Sequence, residues 1–292
     1  MILLQLPLTS HNASSIQQSS FDARRMNGPG QSDKVEYSCF FYLNHENEVL
    51  MAEWHVNLQG DDFDLAALAA RFTSQDFRIQ REGTVYCLMA DELNTLEDPR
   101  EVRDAAERIL QPLNGLAKLM LNARRPLSVS SLYQIKGDRK NHHYLLADAG
   151  SLSLQESAAV LKIGSDGTSE AVQQQDPMHS QLSLSWVDEN VKRVLSLYGK
   201  ADQTWKDLYP IYEIIESDLG GEAALVDKGW TSRNQIERFA RTANSPEASG
   251  ETARHGIPKG APPSNPMTPS EGKEFIASLI LKWIESKLTK QR

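Results

Sequence analysis

The sequence predicts an α+β N-terminal domain, an antiparallel sheet with two helices, followed by an all-α C-terminal helical domain. Apolar residues recur with a period of two in much of the stretch 35–163, and with helical periods after residue 182. Residues 164–181 between them are polar and without a period, which is typical of a linker. We therefore expect a flexible segment 1–34, an α+β domain 35–163, a linker 164–181 and a helical domain 182–292.

The first half of the α+β domain reads as two hairpins with a helix between them. The runs VEYSCFFYL and EVLMAEWHVNL alternate apolar and polar residues around a polar turn, so they predict the first hairpin. Residues 61–72 carry apolar side chains on one helical face and begin with aspartates that can cap a helix. The run FRIQREGTVYCLMA predicts the second hairpin, turning at Glu82 and Gly83.

The second half of this domain starts with a strong helix signal. Asp98, Pro99 and Glu101 provide an N-cap acceptor, a proline at the first helical position and a capping-box glutamate. We expect Pro112 and Gly115 to kink or split the helix that follows. The runs PLSVSSLYQI and HHYLLAD predict a third hairpin across KGDRKN, and AAVLKIG predicts a last strand.

The C-terminal domain shows helical spacing almost throughout. Gly220 and Gly221 predict one helix end, and Thr268 with Glu271 predicts the capping box of the last helix. The predicted helices lie at 184–200, 203–221, 222–229, 231–244 and from residue 268 onwards. The loop 244–267 separates the last two, and it is rich in proline and glycine.

Composition excludes several classes of protein. The chain has 292 residues, 40% of them apolar and 24% charged, so we expect a soluble globular protein. A net charge of −8 argues against general coating of nucleic acid, which needs a positive surface. Two cysteines, Cys39 and Cys87, do not make a disulfide framework, and both are predicted to be buried reduced thiols. No apolar run spans a membrane, and no leader is recognisable, so we expect a cytoplasmic protein.

The strongest candidate for a functional site is the loop 244–267 with the end of the preceding helix. Residues 227–260 carry six lysines and arginines against four acidic residues, a local charge of +2 in an acidic chain. Such a basic focus favours an anionic ligand. Arg254 can form forked hydrogen bonds with phosphate, and His255 can transfer a proton near neutral pH, so these two are the predicted catalytic pair. Arg241, Asn244 and Lys259 are the predicted binding residues.

The stretch SG…ARHG…K…PP…PM resembles one found in C-terminal modules of uncharacterised bacterial proteins. Residues 184–290 are also similar to HEPN-type helical domains, many of which cut RNA or bind nucleotides in toxin and phage-defence systems. The resemblance implies a related helical fold. The family hallmark is an arginine separated by a short polar spacer from a histidine, whereas here Arg254 directly precedes His255 and Arg241 lies fourteen residues before it.

These observations leave three functions open. The first is a non-enzymatic binding or regulatory module that takes an anionic ligand, such as RNA or a nucleotide, or a protein partner through residues 241–259. The second is a HEPN-related ribonuclease or toxin-like effector, with Arg254 on the phosphate and His255 as acid or base. The third is a helix-turn-helix DNA-binding protein, because a short helix, a glycine turn and a basic helix follow one another at 220–243.

Other motifs predict little further chemistry. The sequence has no phosphate-binding loop, dinucleotide fingerprint or nucleophile elbow, so no cofactor is expected. His142 and His143 are neighbours on a predicted strand and would point to opposite faces, so no metal site is expected there. His55 and His179 are expected to be isolated, structural or exposed. The tryptophan- and tyrosine-rich helices at 184–219 could serve the core or a homodimer interface.

Overall fold

The N-terminal part of the chain forms a five-stranded antiparallel sheet with helices, and the C-terminal part is helical, which confirms the predicted fold class. The computed structural model describes residues 52–136, 139–143, 176–257 and 261–290. The described strands and helices belong to one compact unit, Leu50–Arg292. The predicted segment 1–34, the strand before residue 44 and the strand at 158–164 lie outside the described residues.

The sheet has the strand order β2-β3-β1-β4-β5, and every neighbouring pair is antiparallel. Its strands are β1 (Glu53–Gln59), β2 (Phe77–Glu82), β3 (Val85–Ala90), β4 (Ser128–Lys136) and β5 (Arg139–His143). The second predicted hairpin is confirmed, with Gly83 at φ +61° in its turn. The third hairpin is confirmed where it is described, because β4 pairs with β5, which begins at Arg139 inside the predicted turn. Residues 144–148 of its predicted second strand lie outside the described residues.

The described helices are ten in number, with one turn of 3-10 helix at Gly250–Thr252. They are α1 (Asp62–Ala69), α2 (Asp91–Asn94), α3 (Pro99–Leu121), α4 (Pro177–Val187), α5 (Glu189–Tyr198), α6 (Trp205–Leu219), α7 (Glu222–Asp227), α8 (Arg233–Asn244), α9 (Pro246–Ser249) and α10 (Pro269–Lys290). The caps read from the sequence are confirmed at Asp61, Asp98 and Thr268, where a side-chain oxygen accepts a hydrogen bond from the first turn.

Helix α3 continues through Pro112 and Gly115, so the expected split does not occur. Instead, the backbone of α5 lies against Gly115. A Cβ atom on Gly115 would lie 2.2 Å from the carbonyl oxygen of Leu195, and one on Gly199 would lie 2.7 Å from the Gly115 nitrogen. Two glycines therefore allow the backbones of α3 and α5 to touch, which joins the sheet-bearing part to the helical part.

The start of the helical part differs from the prediction. Helix α4 begins at Pro177, inside the stretch predicted as linker, because Asp176 caps it through the amide of Met178. The predicted helix 184–200 is broken at Asp188, which is extended and whose carboxylate accepts from the amide of Val191. Local capping by aspartate explains both differences. The domain boundaries predicted from the sequence stay a prediction.

One hydrophobic cluster extends from the sheet into the helical part. It includes Trp54 and Leu88 from the sheet, Leu113 from α3, and Phe239 and Trp283 from the last helices. The aromatic residues predicted for a core or a dimer interface are largely used within the chain, since Tyr198, Trp205 and Tyr212 are at most 6% exposed. These three side chains are buried within the chain and are not available for an interface. A homodimer through these helices stays a prediction.

Three helices of the C-terminal part are tied together by a partly buried ion-pair cluster. The ammonium group of Lys287 on α10 lies 2.8 Å from Asp188 Oδ2 at the start of α5 and 2.8 Å from Asp218 Oδ2 on α6. The indole N–H of Trp283 donates to the same Asp218 oxygen at 2.8 Å. Burial alone would raise the pKa of Asp218, but the hydrogen bonds from Lys287, Trp283 and Asn190 outweigh it and hold that pKa below its usual value.

Replacing Lys287 by methionine is expected to lower the free energy of unfolding by about 2 kcal/mol at pH 7, because two partly buried carboxylates lose their shared cation. Asp218 has a lower pKa in the folded than in the unfolded chain, so its contribution is present above the unfolded pKa of about 3.9 and is lost as pH falls below it. Urea unfolding at pH 7 and pH 3 should therefore show a smaller difference between the two proteins at pH 3. Lys290→Met at the exposed helix end is the matched control, with an expected change within about 0.5 kcal/mol.

Candidate functional site

The first candidate site lies at the C-terminal end of α8, where the chain turns into the loop. The backbone N–H of Arg254 donates to the carbonyl oxygen of Ala243 at 2.8 Å, and the Ser249 hydroxyl donates to the carbonyl of Thr242. Both bonds satisfy carbonyls that a helix end leaves without partners. The first part of the loop is itself helical, because α9 and the following 3-10 turn occupy residues 246–252. Residues 246–254 thus cap the C-terminal end of α8 and are themselves largely helical.

The Arg254 side chain fastens this cap to α6. Its guanidinium carbon lies 4.0 Å from the centre of the Tyr209 ring, and its Nη2 donates to Glu213 Oε1 at 2.8 Å. The Tyr209 ring is in turn stacked on Phe239, with ring centres 5.9 Å apart and an angle of 10° between the planes. A cation–π contact and a charged hydrogen bond fix the plane of the guanidinium. Arg254 therefore has a structural role in the loop, whatever else it binds.

Two more arginines of the basic focus hold the second part of the loop. Arg238 donates to the carbonyls of Asn265 and Pro266 and pairs with Glu271 at 2.9 Å. Arg241 donates to the carbonyl of Ala261 at 3.1 Å and pairs with Glu237 at 3.3 Å. Three of the basic side chains that give this region its positive charge, those of Arg238, Arg241 and Arg254, are thus paired with acidic side chains of the same chain. Arg238 and Arg241 both belong to the basic helix of the helix-turn-helix interpretation, so these contacts also engage side chains that it would need for DNA.

Asn244 and Ser245 differ from these arginines because each has a buried polar atom without a partner. Asn244 Oδ1 and Ser245 Oγ make no hydrogen bond in the described part of the chain, and the whole Ser245 residue is only 5% exposed. His255 directly follows Arg254 in the sequence, is half-buried and makes an interaction with another group. Lys259 lies outside the described residues. Asn244 lies at the end of α8, and the Arg254–His255 pair is joined to that end through the bond from the Arg254 amide to Ala243. Arg241 contacts the proline-rich segment through the carbonyls of Ala261 and Pro262. The functional roles of these residues stay predictions.

The second candidate site lies on the sheet face that is turned away from the main core, and the sequence reasoning did not find it. His55 on β1 is 5% exposed, and its Nδ1 lies 2.7 Å from Glu82 Oε1 at the end of β2. The ring of Tyr133 on β4 stacks on the His55 ring. The Tyr133 hydroxyl oxygen lies 3.1 Å from His55 Nδ1 and donates a hydrogen bond to Glu82 Oε2. Cys87 on β3 is fully buried, and its thiol lies 3.1 Å from Asn57 Oδ1. We call His55, Glu82, Cys87 and Tyr133 the sheet cluster.

Burial and hydrogen bonding shift the proton affinities in the sheet cluster. Burial and the nearby Glu82 carboxylate raise the pKa of the Cys87 thiol to about 11, so the thiol is neutral and unreactive in this state. Burial and the bond to Glu82 also raise the pKa of Tyr133. Burial alone would raise the pKa of Glu82, but the hydrogen bond from Tyr133 and the charge of His55 outweigh it and lower that pKa. The charged Glu82 carboxylate thus lies beside the neutral hydroxyl of Tyr133 and the neutral thiol of Cys87.

The expectation that His55 is isolated was wrong, and the sequence carried a signal against it. In EWHVNLQ the large apolar residues Trp54, Val56 and Leu58 alternate with Glu53, His55 and Asn57. Side chains two apart on a strand share a face, so the second set had to line one polar face. The partners on β2, β3 and β4 could not be known, because strand order and register are tertiary properties. The expectation that Cys87 is a buried, reduced thiol is confirmed.

Comparisons with known proteins add no relative to these observations. No protein-family model matches the chain, and no curated protein or solved structure gave a significant match. None of the helices in the described residues is both long and apolar enough to cross a membrane.

Proposed function

We propose that the protein is a non-enzymatic binding module, and that the end of α8 with the loop 245–257 binds a small anionic ligand of the nucleotide class. The observation that carries this proposal is the pair of buried polar atoms without partners, Asn244 Oδ1 and Ser245 Oγ. Each such atom destabilises a fold by about 1–3 kcal/mol. Buried polar groups in native proteins are nearly always hydrogen-bonded, so two neighbouring atoms without partners call for a water, an ion or a ligand at this place.

Arg254 supports an anionic group as part of that ligand. Tyr209 and Glu213 hold its guanidinium in one orientation, and only Nη2 makes a hydrogen bond among the described residues. Its Nε and Nη1 donors are suited to phosphate oxygens, and their fixed orientation lowers the entropy lost on binding. Glu213 already neutralises part of the charge. We therefore expect recognition to depend on hydrogen bonds to Asn244 and Ser245 as much as on charge.

The test is the replacement of Ser245 by alanine, with stability and affinity measured on the same protein. The Ser245 hydroxyl makes no cap bond, so its loss is expected to leave the free protein equally stable or more stable by up to about 1 kcal/mol. Binding of ribonucleoside monophosphates, measured by calorimetry, is expected to weaken about tenfold, since one hydrogen bond to the ligand is lost.

Ser249→Ala is the matched control four residues along the same loop. Its hydroxyl donates to the Thr242 carbonyl, so the variant should lose about 1 kcal/mol of stability and keep the wild-type affinity. Wild-type protein that binds neither a monophosphate nor a short single-stranded RNA would overturn the proposal. Equal affinity in wild type and Ser245→Ala would place the ligand elsewhere.

The second candidate function is a HEPN-related ribonuclease, because Arg254 could hold a phosphate and His255 could transfer a proton at the end of α8, although their adjacency departs from the spacing of that family. Incubation of total RNA with wild type and with His255→Ala decides between the two. Cleavage by the wild type alone would make the loop an active site. Absence of cleavage by both proteins, with His255→Ala folded, would reject the enzyme and leave the binding module.

A further inference from the structure

The sheet cluster combines three side chains of the types that bind transition metals. One ligand atom each from His55, Glu82 and Cys87 lies within 4.8 Å of the other two. Ligands of a tetrahedral ion, at roughly 2.0–2.3 Å from the metal, are themselves separated by roughly 3–4 Å. Small rotations of these side chains would therefore bring all three atoms to bonding distance of one ion. In the described part of the chain no other group of three such residues comes this close together.

A second and independent observation is the position of the other His55 nitrogen. Its Nε2 is buried and lies 3.3 Å from Glu53 Oε2, although the geometry is not that of a good hydrogen bond. Histidines that bind a metal through one nitrogen commonly turn the other toward a carboxylate, which fixes the ring and its tautomer. Glu53 is itself held by an ion pair with Arg78. The Glu53 carboxylate thus lies where a carboxylate commonly orients a metal-binding histidine.

The surrounding side chains hold the remaining ligands in place. Cys87 is directed by Asn57 Oδ1 at 3.1 Å, and the Asn57 amide donates to the Ser131 hydroxyl at 2.7 Å. Tyr133 lies within reach of His55, Glu82 and Cys87, so its hydroxyl or a water completes a fourth position. The Glu82 side chain is 26% exposed, which leaves an approach from solvent. The site is therefore ordered before an ion arrives.

We infer that His55, Glu82 and Cys87 bind one divalent transition-metal ion of the zinc type. A thiolate, an imidazole and a carboxylate are the mixture of sulfur, nitrogen and oxygen ligands that Zn²⁺ accepts, whereas Mg²⁺ and Ca²⁺ require oxygen ligands. A bound cation stabilises the thiolate, so the neutral thiol of the metal-free protein is no obstacle. The inference is independent of the proposed function, since it concerns the sheet and not the end of α8.

The test uses the full-length protein, freed of metal with a chelator and titrated with Co²⁺ as a spectroscopic substitute for Zn²⁺. The wild type should bind one equivalent and show the near-ultraviolet charge-transfer band of a cobalt–thiolate bond. The band should disappear in Cys87→Ser and stay in Cys39→Ser, the variant of the chain's other cysteine. His55→Ala should bind at least a hundredfold more weakly, and His179→Ala, at a histidine outside the cluster, should bind like the wild type.

Glu53→Gln separates a metal site from a simple hydrogen-bond network. Glu53 acts on the ion only through His55, so this variant should keep the cobalt band and bind zinc ten- to a hundredfold more weakly. Its side chain is 36% exposed, and folding can be confirmed by circular dichroism. The melting temperature of the wild type should rise with added Zn²⁺, while that of Cys87→Ser should not. Metal-free wild type without a cobalt band or a zinc-induced shift would overturn the inference, as would a band lost only in Cys39→Ser.

Discussion

Replacing Gly115 by alanine is expected to lower the free energy of unfolding by about 3 kcal/mol. The new Cβ would meet the Leu195 backbone at 2.2 Å from the oxygen and 2.7 Å from the carbonyl carbon, and a helix backbone cannot yield as a side chain does. Overpacking of this kind typically costs about 1–3 kcal/mol, and the contact here is with backbone. The better helix propensity of alanine would return only about 1 kcal/mol. Urea unfolding followed by circular dichroism measures the balance.

Gly256→Ala is the control for this change. Apart from its chain neighbours, no atom of the described residues lies within 4 Å of a Cβ built at Gly256, and its φ is not in the left-handed region, so stability should change by no more than about 0.5 kcal/mol. If Gly115→Ala were as stable as the wild type or more stable, α3 and α5 would not be in backbone contact. A loss with an unchanged single transition would show that the sheet and the helices unfold together.

Replacing Phe239 by alanine is expected to destabilise the protein by about 4 kcal/mol, the range found for large aromatic residues in a core. Phe239 is fully buried and lies between four rings, with centre distances of 5.0 Å to Phe275, 5.7 Å to Tyr212, 5.8 Å to Trp205 and 5.9 Å to Tyr209. The cavity would remove packing from three helices at once. Thermal and urea unfolding are the measurements, and Phe239→Leu should cost only about 1–1.5 kcal/mol.

The same substitution tests how the loop is held. Phe239 supports Tyr209, and Tyr209 carries the guanidinium of Arg254. Phe239→Ala and Arg254→Ala should therefore be non-additive, with a coupling of about 0.5–1 kcal/mol in a double-mutant cycle. Strict additivity would mean that the loop is held without the aromatic stack.

The elements of this fold were largely predictable because their signals are local. Asp98 with Pro99, and Thr268 with Glu271, form caps within four residues of sequence, and the structure has both helix starts. Gly83 occupies the turn of the second hairpin for a similar reason, since its positive φ is a property of one residue. Asp176 and Asp188 gave equally local signals, but they lie in stretches whose overall polarity or period suggested a linker and one long helix.

The candidate sites were less predictable because their contacts join distant residues. The arginines near the loop were identified as a basic focus, yet Arg254 meets Glu213, forty-one residues away, and so its charge is balanced. His55 meets Glu82 and Tyr133 at separations of twenty-seven and seventy-eight residues. Periodicity showed which face of β1 is polar, but not which strands lie beside it.

The sequence by itself determined the fold class, several helix starts such as those at Asp61, Asp98 and Thr268, the turn of the second hairpin and the residue types available for binding. These depend on backbone preference, capping and hydrophobic periodicity, which act over a few residues. Only the tertiary structure decided that Gly115 is a contact point with α5, that Arg254 is neutralised by Glu213, and that His55, Glu82 and Cys87 meet. Those outcomes depend on strand order and helix packing, where long-range burial selects the neighbours of each side chain.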